Sequence, residues 1–366
     1  VAERVVTLAP APAPVPAPAG ALAVHRRRGP PWVLIGVVVL LLTVGVGMVI
    51  GPAGPAWWRV PLELADRLPL VSVDSGVTEV EWNIVWQVRM PRVLLGALVG
   101  GVLAIAGASY QGVFRNPLVD PFMLGVAAGA GLGATLALTV LRSATAGWPF
   151  DAAPVLAFVV ALATVFFAYF VGGSFGASRE GVTLVLAGVA VAALATAMQT
   201  FLLQRNFLVV REVYSWILGR LYTAKWSDVR MLFIYAVVCS VVLMLHRRHL
   251  DLFRVGEDEA STLGAPVARV RLVIVVAATL ATAAAVSVSG LIAFVGIVVP
   301  HVVRLVVGAS YRTLLPLSLL FGGAFLVLAD IPGRVLTDPA ETPIGVVTAF
   351  LGAPFFIFVL RSRRRA

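Results

Sequence analysis

The chain has 366 residues, of which 60% are hydrophobic and 13% charged, with a formal net charge of +10. A water-soluble domain carries about a quarter of its residues as charges, so a soluble enzyme is excluded, as is a single-anchor receptor with a large water-facing domain. About 20 apolar residues make one transmembrane helix, and the apolar stretches run continuously instead of alternating every second residue, which excludes a membrane β-barrel.

Residues 1–31 carry prolines at 10, 12, 14, 16, 18, 30 and 31. Such a segment reads as an extended, disordered cytoplasmic tail. It ends in Arg26, Arg27 and Arg28, ahead of an apolar run from Trp32 to Ile50. That run exceeds the core of a signal peptide, which spans roughly 7–15 residues.

From there the hydropathy pattern predicts an all-α, polytopic membrane protein with ten spans. They fall at about 32–50, 93–113, 118–141, 153–172, 182–204, 229–246, 271–289, 291–307, 314–330 and 343–360. Only Ser287, Ser289 and Gly290 separate the seventh from the eighth, and Pro300 interrupts the eighth. Broken segments at membrane depth must be buried in protein or line a wet cavity. With the N-terminus in the cytoplasm, 17 of the 28 cations fall on inner segments, as the distribution of basic residues in membrane proteins favours. An even number of spans then puts both termini inside. Anionic lipid headgroups account for the basic charge without nucleic acid.

Two connections are long. The outer one, about 51–88, carries Glu63, Asp66, Asp74, Glu79 and Glu81 with Trp57, Trp58, Trp82 and Trp86, a tryptophan set that reads as an interfacial belt. The inner one, about 247–270, places Gly256 and Gly264 around a helix-sized piece. Glu257, Asp258 and Glu259 stand at its start, where the helix dipole favours acids.

Chemistry-bearing motifs are few. Of the 28 Lys plus Arg residues Lys225 alone is lysine, in the context Ala-Lys-Trp, so the chain holds no Gly-x-x-x-x-Gly-Lys-Ser/Thr phosphate loop. Cys239 is the single cysteine and can form neither an internal disulfide nor a cysteine-rich metal site. His301 reads as a buried structural histidine, and His246 and His249 as part of a solvated basic cluster. Arg89 and Arg92 flank Pro91 at a helix start, three residues apart, so that they share one side of a helix at the outer mouth. Arg115-Asn116-Pro117-Leu118-Val119-Asp120-Pro121 reads as a tight reversal fixed by two prolines. Carboxylates at membrane depth are scarce, Asp330 ending the ninth span, which argues against the alternative of an ion-coupled secondary transporter of a small solute.

The stretch RMPRVLLGALVGGVLAIAGASYQGVFRNPLVDPFMLGVAAGAGLG, residues 89–133, resembles the membrane permeases of ATP-binding-cassette (ABC) importers for iron–siderophore complexes, haem and vitamin B12. So do WILGRLYTAKWSDV at 216–229, GEDEASTLGAPVARVR at 256–271, SGLIAFVGIVVPHVVR at 289–304 and ETPIGVVTAFLGAPFFIFVL at 341–360, in the family's order. The resemblance covers about residues 80–362 and implies the vitamin B12 permease-like fold. It implies a homodimer in a bacterial cytoplasmic membrane, with a path along the dimer axis lined by the spans near 182–204 and 343–360. Two ATPase subunits dock below, holding the ATP and Mg that this chain does not bind, and a substrate-binding protein docks above. Arg89, Arg92 and Arg334 match residues that pair with acids of the binding protein. Asn116 and Leu118 match part of the cytoplasmic gate, and Gly181 and Val182 match a second gate strip. Residues 256–266, with Gly256, Glu257, Asp258, Glu259, Leu263 and Gly264, match the coupling helices that seat on the ATPases. The implied cargo is a metal chelate, a ferric siderophore ahead of haem or cobalamin.

Overall fold

The structure, a computed structural model, describes residues 31–51, 54–67, 75–145, 147–148, 150–173, 181–262, 266–336 and 341–363. The Pro-rich segment 1–30, Leu263 and Gly264 lie outside the described residues. Every regular element among the described residues is helical: α1 (Trp32–Val49), α2 (Arg59–Asp66), α3 (Glu79–Asn83), α4 (Met90–Val113), α5 (Val126–Leu138), α6 (Ala152–Gly173), α7 (Gly181–Arg205), α8 (Val210–Ile217), α9 (Trp226–Leu245), α10 (Arg247–Phe253), α11 (Glu257–Thr262), α12 (Val267–Ser289), α13 (Val295–Val307), α14 (Tyr311–Val335) and α15 (Ile344–Arg363). Seven of the described helices are long and apolar enough to cross a membrane, and three shorter apolar ones, α5, α13 and α15, take the remaining predicted span positions.

The helices sort into a core and a jacket. α4, α12 and α14 are largely enclosed, whereas α1, α6, α7 and α9 are mostly uncovered. α4 is the hub, packing against α14, α12, α13 and α9. Its sequence allows this because one face is stripped to glycine and alanine, so neighbouring backbones approach closely. A Cβ on Gly100 would collide with the Gly322 carbonyl of α14, and one on Gly107 with the Gly296 carbonyl of α13. Two polar side chains of α4 find partners across the core, as a low-dielectric interior favours. Tyr110 Oη lies 2.5 Å from Thr279 Oγ1 on α12, and Gln111 Nε2 donates to Gly296 O at 3.0 Å. The jacket carries large exposed apolar side chains, among them Phe166, Leu186, Phe201, Leu305 and Phe350, the surface that lipid or another protein covers.

The span edges depart from the hydropathy reading in ways the local chemistry explains. The predicted third span, 118–141, shrinks to α5. Its first part is a turn and a short 3-10 helix, Pro121–Leu124, closed by Gly125 at φ +90°. Pro117 and Pro121 both remove backbone donors there. The eighth span starts late, at Val295, after Gly290 and Phe294 take positive φ values of 71°. α4 is longer than predicted at its start. Thr78 caps α3 in a reciprocal box with Glu81, and a π-helical stretch, Ile84–Arg89, carries the chain straight into α4.

Candidate functional site

α4 and α14 lie side by side in opposite directions, so the first turn of α4 meets the last turn of α14. Polar groups gather at that end. Arg92, on the first turn of α4, grips Asp330 of α14 with two parallel bonds, Nε to Oδ2 at 2.8 Å and Nη2 to Oδ1 at 2.9 Å. Its Nη1 reaches both oxygens of Glu341, at 3.0 and 2.7 Å. Arg334, one turn beyond Asp330 on α14, donates Nε to the same carboxylate at 2.6 Å and Nη1 to the Gly47 carbonyl at 3.0 Å. Arg89 donates to the carbonyls of Met48, Val49 and Gly51, at 3.2, 3.1 and 3.3 Å. Those carbonyls belong to the C-terminal end of α1, where unpaired oxygens and the helix dipole attract a cation.

The cluster is interior. Arg89, Arg92, Asp330 and Arg334 are 6%, 7%, 3% and 3% exposed. Three guanidiniums face two carboxylates and the end of α1, so the arrangement fastens α1, α4, α14 and the segment before α15 together. The sequence brought Arg89, Arg92 and Arg334 to one mouth, and the structure does bring them together. It turns them inward, however, onto acceptors of their own chain. Asp330 as the shared hub and Glu341 as its outer partner were missed. The signal available was Asp330, an acid within an apolar stretch, since a buried acid requires a counter-charge; Glu341 lies in a polar, Pro-containing connection that gave none.

Around this end the outer connection folds back on itself. Glu63 is buried and accepts from Ser75 Oγ at 2.5 Å and from Arg67 Nε at 2.9 Å. Trp82 stacks on Trp86 at 5.7 Å, Trp86 lies 5.2 Å from Trp226, and Arg67 sits 4.6 Å over the Trp82 ring. Trp57, Trp58 and Trp86 remain exposed, the disposition of an interfacial belt.

At the opposite end of α4, Asn116 Oδ1 accepts the Leu118 amide at 3.0 Å, so the side chain closes its own turn. Asn116 is exposed and Leu118 half-buried. Asp120 caps the 3-10 helix through Phe122 N at 2.8 Å. Burial pushes its carboxyl up to about 6, against the opposing pull of that amide. Gly181 and Val182 open α7. Two turns on, Gly188 packs against Met123 and Leu124 of the 3-10 helix, so α7 rests on the turn that Asn116 and Leu118 begin.

The inner connection forms a two-helix unit. α10 buries Leu250 and Phe253 and packs on α14 and α4. Asp251 holds it to the start of α14, accepting from Tyr311 N at 2.8 Å and Ser310 Oγ at 3.1 Å. Gly256, at φ +130°, makes the turn that a side chain would strain, with the Glu259 carboxylate folded over it. α11, begun by Glu257, Asp258 and Glu259, then packs on α10 and α12. His246 Nδ1 lies 2.8 Å from the Val242 carbonyl, and the His249 ring is 5.6 Å away. His301 packs edge-on against Phe355 at 5.8 Å. Among the described residues no three His, Cys, Asp or Glu side chains converge as a metal site.

An apolar cavity of about 520 Å³ opens beside α15, lined by Ile217, Leu218, Leu291, Ala293, Val346 and Phe350 among others. It offers contact without a charged grip.

Comparison with known proteins fits this geometry. The FecCD transport family profile matches residues 33–362. The Cobalamin import system permease protein BtuC of Halobacterium salinarum is 42% identical over 82% of this chain and 79% of its own length. The Hemin transport system permease protein HmuU of Yersinia pestis is 34% identical over 80% of this chain and 87% of its own. A solved metal-chelate type ABC transporter in an inward-facing conformation superposes with a TM-score of 0.76 at 28% identity, covering 90% of this chain and 98% of that one.

Proposed function

The chain belongs to the FecCD transport family, and from that premise we propose that it is the membrane permease of an ABC importer that carries a metal chelate across a bacterial cytoplasmic membrane. In this reading it acts as a homodimer in the lipid bilayer, both termini in the cytoplasm. Separate ATPase subunits below supply ATP hydrolysis, a substrate-binding protein above delivers cargo, and alternating access moves it. The chain itself binds no nucleotide and no nucleic acid.

The observation that carries the mechanism is the mounting of α10 and α11. α10 is wedged against both α4 and α14 and pinned by Asp251. A push on that unit from an ATPase would reach the two core helices directly, and interfaces of packed helices respond by discrete shifts. α4, 24 residues long, would carry the displacement about 36 Å to the other end.

For the cargo we favour a ferric siderophore. A second reading, cobalamin, is supported by the name of the 42%-identical relative. Reconstitution with ATPase and binding-protein subunits decides between them: the loaded complex that stimulates ATP hydrolysis is the cargo. Stimulation by cobalamin and not by ferric siderophore would install the second reading. ATP hydrolysis by the purified chain alone, or uptake driven by an ion gradient without ATPases, would overturn the importer reading.

Docking of the binding protein at the Arg89–Arg92–Arg334 end requires its carboxylates to displace an internal acid. Glu341, with a side chain 30% exposed, is the accessible one. Glu341→Gln should therefore tighten binding of the delivery protein severalfold by freeing Arg92 Nη1. Unchanged affinity in that variant would remove Arg92 from the docking surface.

A further inference from the structure

A second set of guanidinium groups lies at the far end of α4, and the transport reading leaves it unused. A cavity of about 240 Å³ opens there between the end of α4, α10, the end of α13 and the start of α14. Arg115, Arg254 and Arg304 line it together with Gln111 and Tyr311, and no carboxylate is among the described residues that line it. The neighbouring acid, Asp251, is engaged in capping α14, and its Oδ1 stays 4.0 Å from Arg254 Nη1.

The hydrogen bonding is incomplete. Among the described residues, the donor Arg304 Nη1 is fully buried without a partner, while Gln111 Nε2 is engaged with Gly296 O. Orphaned buried polar atoms of this kind are rare and call for an occupant. Arg254 Nη1 has only a long bond, 3.3 Å, to the Ala309 carbonyl. Arg115 ends α4 at φ +49°, a C-terminal helix position that geometry reserves for glycine. An arginine held in that strained conformation beside two others points to a ligand that uses its charge.

We propose that this cavity binds a phosphate-type anion, either the phosphodiester headgroup of an acidic phospholipid or free phosphate. Three guanidiniums and a phenol supply donors in several directions, as a tetrahedral oxyanion requires, and arginine forks suit its geometry. The volume suits a headgroup and is below that of a pocket for a drug-sized molecule, about 300 Å³ or more. Basic pockets between helix ends are a recognised form of lipid site. The orientation proposed above puts this one on the cytoplasmic leaflet, but the anion chemistry does not depend on that orientation.

The test uses the purified full chain in a neutral detergent, followed by melting temperature. Three additions are titrated separately: short-chain phosphatidylglycerol, short-chain phosphatidylcholine and inorganic phosphate. Phosphatidylglycerol should raise the melting temperature by several degrees and phosphatidylcholine should not. Arg304→Gln should weaken the apparent affinity at least tenfold, and Arg254→Gln, at the exposed rim, severalfold. Arg269→Gln, an exposed cation elsewhere on the same side, should leave the response unchanged. A rise with inorganic phosphate equal to that with phosphatidylglycerol would assign the site to the free ion. Equal responses to the two lipids, or an undiminished response in both Arg304→Gln and Arg254→Gln, would overturn the proposal. It would also fall if adding the ATPase subunit abolished the response and its acidic residues proved to be the occupants.

Discussion

The two ends of the α4–α14 pair make opposite use of the same residue. At one end Arg89, Arg92 and Arg334 are closed in by Asp330, Glu341 and the carbonyls of α1. At the other, Arg115, Arg254 and Arg304 surround a cavity, and the nearest acid is committed elsewhere. A guanidinium closed in by internal acids is a fastening, and one that faces an open cavity is left to meet an anion. Which of the two a given arginine becomes depends on what the neighbouring helices bring to it.

The largest test of that contrast is to remove one partner at each end. Asp330→Asn leaves two buried guanidiniums without their shared counter-charge, and breaking a buried pair on one side costs about 3–5 kcal/mol. Its melting temperature and expression should drop steeply. Arg304→Gln touches a bond to the Tyr311 phenol but strands no buried charge, and should change stability by about 1 kcal/mol or less in the absence of added anion. Equal losses in the two variants would erase the distinction.

A pH experiment sharpens the comparison at the open end. The Asp120 carboxyl sits at about 6, above its ordinary 3.8, because burial disfavours the charge. The native state therefore holds its proton longer than the unfolded state does, and stability falls as pH rises from about 4 to about 6, then levels. The full effect is about 3 kcal/mol at most. Asp120→Asn, which keeps an acceptor for Phe122 N, should flatten that part of the stability profile. A slope that survives the substitution would reassign the effect to another group.

The smallest expected change is at Arg115. Without added anion, Arg115→Gly relieves the positive φ and should stabilise the chain by about 0.5–1 kcal/mol. With phosphatidylglycerol present, the gain should shrink or reverse. A gain of the same size in both conditions would make Arg115 a plain helix terminus.

Much of the architecture is legible along the chain, because a bilayer imposes a simple local rule. Each predicted apolar stretch overlaps one of the seven long or three short apolar helices, and Pro117, Pro121 and Gly125 explain where the third was over-extended. Gly256 and the acids after it marked a helix start that the structure contains. The site was half legible. Arg89, Arg92 and Arg334 do lie together in the structure, since a helix end and the direction of each span locate them. Their inward orientation was not visible, nor was the pocket formed by Arg115, Arg254 and Arg304.

The sequence alone determined the helical class and the apolar stretches, because these follow from local hydropathy and from residues a turn apart. Only the tertiary structure decided what each charge meets. Arg92 and Asp330 are 238 residues apart in the chain, and Arg115, in the turn after α4, meets Arg304 of α13 at one cavity. Coulomb attraction and desolvation act over a few ångströms of space, which chain distance does not measure.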